Sequence, residues 1–144
     1  MKAAVIGLGS MGMNHYRILQ TFKDVEVFSV DPLINTADFK DVDELLESVA
    51  IDFAIIATPT VTHSSLALKL VHKNIPVLIE KPVFKNSTEA LSILKASEKN
   101  NCKIAVGHVE RFNPACQAFM KEVKDERIIN CNIIRVSPYP KRIN

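Results

Sequence analysis

The chain has 144 residues, a formal net charge of +2 and 47% hydrophobic residues, which suits one globular domain that folds without a metal or disulfide staple. No basic block is longer than Lys141-Arg142, so nucleic acid or an anionic membrane finds little to hold, and apolar runs such as residues 53–57 fall far short of a membrane span. Glycine is scarce: there are four, where average usage gives about ten, and three of them are Gly7, Gly9 and Gly12.

Taken in chain order, short apolar runs alternate with amphipathic segments. Strands are expected at 2–6, 25–31, 53–57, 77–80, 103–106 and 128–136. A helix over 11–22 follows the glycines. In the next, Val42, Leu45, Leu46 and Val49 form one face, with Asp41 as N-cap and Glu44 three residues on. A helix over 62–73 follows the third strand, with Thr60 or Thr62 expected as its cap. After the fourth strand, Asn86 or Ser87 caps a helix whose apolar face is read as Ala90, Leu91 and Leu94. The last helix opens on Asn113-Pro114 and is expected to bury Cys116, Phe119, Met120 and Val123. Six strands with five intervening helices predict an α/β fold with a doubly wound parallel sheet, because parallel neighbours need crossovers. This domain is expected over 1–136, with 137–144 beginning a connection.

The N-terminus reaches glycine by position 7 and lacks the apolar stretch of a signal peptide, so a cytoplasmic location is expected. Cys102, Cys116 and Cys131 are odd in number and sit in apolar or helical patterns, which predicts reduced core thiols.

Gly7-Leu8-Gly9-Ser10-Met11-Gly12 fits G-x-G-x-x-G between a strand and a helix, and Asp31 ends the next strand nineteen residues past Gly12. Gly7 permits the tight turn, Gly9 lets backbone approach a pyrophosphate, and Gly12 lets helix and strand pack closely. The helix N-terminus would bind the phosphates, and Asp31 the adenosine ribose hydroxyls. Pro32 and Leu33 offer no cation for a 2′-phosphate, so NAD is expected in preference to NADP. The third strand runs into Thr58-Pro59-Thr60-Val61-Thr62-His63, a loop placed to edge the cofactor cleft.

The fourth strand ends Glu80-Lys81-Pro82, and the fifth runs into Gly107-His108-Val109-Glu110-Arg111-Phe112-Asn113-Pro114. With the G-x-G-x-M-G-x-x-H run from Gly7 to His15, these motifs resemble the Gfo/Idh/MocA family of oxidoreductases over the chain from Met1 to about Val136. The resemblance implies a Rossmann domain that binds NAD through Gly7 to Gly12, Asp31, Thr58, Pro59, Thr60, His63, Glu80 and Lys81. It further implies that Lys81 is catalytic and hydrogen-bonds the substrate hydroxyl, that Glu80 positions the nicotinamide ribose, and that a cis peptide precedes Pro82. Val109 and Glu110 match places where family members touch substrate, and Arg111 is equally open to a substrate role and a structural one. The 107–115 run is similar to the nucleotide-sugar branch, of UDP-N-acetylglucosamine 3-dehydrogenase type. Family members continue into a second domain that supplies most of the sugar pocket, and this substrate domain is absent from the sequence. The implied function is hydride transfer from a secondary alcohol of a sugar or nucleotide sugar to NAD, incomplete in these residues alone. A non-enzymatic NAD-binding regulatory module is the alternative. No metal is implied, and a homo-oligomer is expected through surface left uncovered near the sixth strand.

Overall fold

The computed structural model describes residues 1–134 and 136. It divides into two compact units, Met1–His108 and Val109–Asn144. The first holds β1 (Lys2–Ile6), α1 (Ser10–Leu19), β2 (Glu26–Val30), α2 (Val42–Ser48), β3 (Phe53–Ile56), α3 (Thr60–His72), β4 (Val77–Ile79), α4 (Ser87–Asn100) and β5 (Ile104–Val106). Its strands form one parallel sheet in the order β2-β1-β3-β4-β5.

Strand alternation builds the two sides of the sheet. Ala4, Ile6, Ala54, Ile56, Val77 and Ile79 share a core with α2, α3 and α4, whereas Val5, Ile55 and Leu78 pack with Met13, Tyr16 and Leu19 of α1. Leu45, Ile56, Leu70 and Ile93 are fully buried there, each contributing about 1.5–3 kcal/mol of transfer free energy. The chain leaves β1 for β2 through α1 and returns from β2 to β3 through α2. The strand order therefore reverses between β1 and β3, which opens a crevice beyond their carboxyl ends.

Helix ends follow the local sequence. Asp41 Oδ1 accepts from the Glu44 amide and Asn86 Oδ1 from the Glu89 amide, each at 2.9 Å. Glu44 and Glu89 return the bond to the amides of Lys40 and Lys85, one residue before each cap. Asn74 and Asn101, just past α3 and α4, have φ of 57° and 49°. Asparagine thus fills left-handed positions where glycine is usual, which accounts for part of the glycine shortage.

Four expectations need correction. The sheet has five strands, not six: residues 128–134 and 136 form no strand, because a strand needs a ladder partner and these described residues make no such pairing. Residues 137–144, read as a connection, lie outside the described residues. In α4 the buried positions are Ile93 and Ala96, while Leu91 and Leu94 are more than half exposed. Packing of α4 against α3 selects one of two apolar stripes that share the same helical spacing. In the second unit, α5 (Pro114–Glu122) starts as expected, with Asn113 Oδ1 accepting from the Ala115 amide, yet buries none of its residues. That unit is too small to cover Phe119 and Met120 with a core of its own. Only Cys102 is a core thiol; Cys116 is half-buried and Cys131 exposed, all three free.

Candidate functional site

The loop from β1 to α1 is built by its glycines. Gly7 has φ +88°, and its amide donates to the Val30 carbonyl at 2.8 Å. A Cβ at Gly12 would stand 1.7 Å from the Gly7 carbonyl oxygen, so the helix rests directly on the loop. Gly9 is the N-cap of α1, without a side-chain cap bond, and no acid lies in the first turn formed by Ser10 and its neighbours. A Cβ at Gly9 would meet nothing within 4 Å. A helix N-terminus with open space before it and no carboxylate in its first turn suits an anion. Met11, partly exposed, continues that turn.

Asp31 leaves β2 beside this loop. Its Oδ2 accepts from the Leu8 amide at 2.8 Å and its Oδ1 from the Leu33 amide at 2.9 Å. Burial pushes the Asp31 carboxyl up, but the amides of Leu8, Leu33 and Ile34 and the Lys40 cation outweigh it and hold the group below the ordinary carboxylate range. A cavity of about 710 Å³ follows the crevice, lined by Gly7, Gly9, Asp31, Thr58, Pro59 and Lys40 among others. Lys40 escaped the sequence reading, which sought a cation only next to Asp31. A single parallel bridge between Val30 and Phe39 sets Phe39 beside the end of β2, so Lys40 follows it as Asp31 follows Val30.

On the other wall, α3 begins at Thr60 with Pro59 as its cap residue and no side-chain cap bond. Thr60 and Thr62 are therefore not caps. Pro59 fixes the entry, and the Thr62 hydroxyl turns back onto the Thr58 hydroxyl and the Pro59 carbonyl at 2.7 and 2.8 Å. His63 is 1% exposed, with its Nε2 at 2.8 Å from the Thr58 carbonyl oxygen and its Nδ1 at 3.0 Å from that of Val83. It faces backbone, and the cavity wall on this side is formed by Thr58, Pro59, Thr62, Ser65 and Leu66.

Glu80, at the end of β4, is 4% exposed, and His15 Nε2 donates to its Oε1 at 2.8 Å. The Lys81 amide donates to Glu80 Oε2 at 3.2 Å. A Cβ on Gly107 would come within 2.9 Å of the Glu80 carboxyl carbon, so the fourth glycine makes room for this acid. Lys81 itself is exposed, and the Lys81-Pro82 peptide is cis, as expected. His15 is the residue of this group that the sequence reading left without a role.

In the second unit, Val109, Glu110 and Arg111 lie in a 3-10 turn, Val109–Phe112. Glu110 Oε2 accepts from Asn113 Nδ2 at 2.8 Å, and the Arg111 carbonyl accepts from Gln117 Nε2 at 3.2 Å. Among the described residues no cluster of His, Cys, Asp and Glu fits a metal, and no helix is long and apolar enough to cross a membrane.

A parallel sheet of this order, with a glycine loop and an acid at its switch point, defines a dinucleotide-binding α/β domain. The family profile described as "Oxidoreductase family, NAD-binding Rossmann fold" matches residues 1–108, and the chain belongs to this Gfo/Idh/MocA family. It is 29% identical over 142 residues to inositol 2-dehydrogenase of Arthrobacter sp. (strain FB24), covering 89% of this chain and 42% of that protein. It is 30% identical over 126 residues to UDP-N-acetylglucosamine 3-dehydrogenase of Acidithiobacillus ferrooxidans, covering 81% and 40%. Among solved structures, GenD2 from gentamicin A biosynthesis in complex with NAD superposes with a TM-score of 0.79 at 25% identity, covering 87% of this chain and 39% of that one. The chain spans about two-fifths of the length of these relatives.

Proposed function

We propose that these residues hold NAD for the oxidation of a secondary alcohol on a sugar, cyclitol or nucleotide sugar. The observation that carries this is the open space in front of Gly9, at the N-terminus of α1, whose first turn carries no acid, and beside the Asp31 carboxylate. The pyrophosphate fits against the amides of Gly9, Ser10 and Met11, with Leu8 and Gly12 shaping the turn. Asp31 takes the adenosine ribose hydroxyls, and Thr58, Pro59 and Thr60 flank the cofactor. His63 supports that wall from behind. NAD, when bound, supplies the hydride acceptor, and the protein orients it.

Glu80, held by His15 and the Lys81 amide, helps to position the nicotinamide ribose through the strand end it anchors. Lys81 is exposed at the strand end, where its ammonium hydrogen-bonds the substrate hydroxyl and assists proton movement. Val109, Glu110 and Arg111 contribute substrate contacts. In a chain of the relatives' length this constellation performs hydride transfer, whereas these 144 residues alone turn over little or nothing. The exposed Phe119, Met120 and Ile129 support self-association, and light scattering across concentration tests it.

The test of the cofactor reading is calorimetric titration with NAD, NADP and S-adenosylmethionine. NAD binding tighter than NADP, with no heat from S-adenosylmethionine, is expected. Preference for S-adenosylmethionine, or no binding of either dinucleotide, overturns the reading.

A further inference from the structure

We propose that His15 and His63 are positioning residues that brace the Lys81 segment from its two sides. The inference rests on the cofactor reading above for its consequence, though not for its geometry. Lys81 is exposed and its neighbours are not free to move with it. One residue before it, the buried Glu80 carboxylate is gripped by His15 from α1 at 2.8 Å and by the Lys81 amide at 3.2 Å, and it lies against the surface of Gly107. Two residues after it, the Val83 carbonyl faces His63 Nδ1 at 3.0 Å. The other ring nitrogen of His63 faces the Thr58 carbonyl, so one imidazole spans from the cavity wall to the lysine segment.

A buried carboxylate is costly, and burial by itself gives no reason for Glu80 to point in one direction. Charge-assisted donation from His15 supplies that direction. The two histidines come from the first turns of α1 and α3 or just beyond, the helices that start at the two walls of the crevice. The lysine segment is thereby tied to the same elements that face the cofactor. Site groups held by a supporting shell keep their geometry where a free loop loses it.

Both ring nitrogens of His63 face carbonyl oxygens, and a neutral imidazole carries one N–H and donates to one of them at a time, so the two contacts are tested separately. Asparagine carries an amide near the position of Nδ1 and glutamine near that of Nε2. His63→Asn thus keeps the tie to Val83, and His63→Gln drops it. At position 15, glutamine retains a donor for Glu80 and alanine removes it. Hydrogen–deuterium exchange over residues 79–84 in the ligand-free chain reads the brace directly. Titration with NAD and with ADP then separates the nicotinamide half from the adenosine half of the site.

Exchange over 79–84 rises about tenfold in His63→Gln and in His15→Ala, the scale of one lost hydrogen bond, and stays near native in His63→Asn and His15→Gln. The same two disruptive variants weaken NAD several-fold and leave ADP unchanged. Native exchange in both disruptive variants overturns the brace, as does loosening shared equally by all four variants or by the whole domain. Should a variant at position 63 fail to fold, the pair at the partly exposed His15 decides by the same readout. If the native chain binds NAD no better than ADP, the placement of nicotinamide beside Lys81 fails, while the exchange data still decide the brace.

Discussion

Alanine at two glycines of one loop is predicted to separate folding from binding. At Gly12 a Cβ would lie 1.7 Å from the Gly7 carbonyl oxygen, so reaching an ordinary contact of 3.4 Å means opening helix and loop by about 1.7 Å. Overpacking against yielding side chains costs about 1–3 kcal/mol, and here the obstacle is backbone already committed to a turn, so the upper end applies. Alanine's helix propensity returns at most about 1 kcal/mol. The net loss of about 2 kcal/mol lowers the melting temperature by roughly 4–8 °C for a domain of this size. At Gly9 the same methyl meets nothing within 4 Å, so the stability cost is only that of alanine for glycine at an N-cap, about 0.5–1 kcal/mol and well below the loss at Gly12. The methyl does fill the space through which a pyrophosphate would approach, and NAD affinity falls about tenfold, equivalent to roughly 1.4 kcal/mol. Thermal melts and NAD titrations of both variants check this. Gly12→Ala melting within a degree of the native chain, or Gly9→Ala binding NAD as tightly as the native chain, refutes the reasoning.

Three further outcomes follow from local geometry. The Asp31 carboxyl is held below its ordinary range in the folded chain, so its stabilisation is fully present above the unfolded value of about 3.9 and is lost as pH falls through the lower folded value. Urea unfolding at pH 7, 5, 4 and 3 should show a gap between the native chain and Asp31→Asn that closes only in the most acid samples. A gap unchanged at pH 3 would show that the charge is not what matters. Asn86→Ala removes the acceptor for the Glu89 amide and should cost about 1 kcal/mol, seen as a lower urea midpoint; an unmoved midpoint counts against the cap. Burial pushes the Cys102 thiol up, whereas Cys131 is exposed. Ellman's reagent should therefore modify Cys131 first and Cys102 only on unfolding. Equal rates in the folded chain would contradict the burial.

What the sequence made legible is what short spacing encodes. The glycine loop and Asp31 lie on consecutive elements, and Asp41, Asn86 and Asn113 announce their helices within three residues. The misreadings arise where a second element decides. Leu91 and Leu94 share the helical spacing of Ile93 and Ala96, and the packing of α4 against α3 chooses which stripe goes inside. Thr62 has the chemistry of a cap, but Pro59 starts the helix and leaves that hydroxyl to bond backwards.

The same limit shaped the site. His15 and Glu80 are 65 residues apart, and Lys40 reaches the cavity through a one-residue bridge that no strand pattern marks. Gly107 shows the difference most sharply. In sequence it belongs to a motif that resembles a substrate-side loop, whereas in the fold its missing side chain makes room for the Glu80 carboxylate. The fourth glycine thus serves the acid that His15 orients. Gly107→Ala should therefore raise hydrogen exchange over residues 79–84 as His15→Ala does. By pair coupling, the double variant should fall short of the sum of the two single effects. Full additivity would mean that glycine and histidine act on different parts of the site, and that Gly107 does not serve the acid His15 orients.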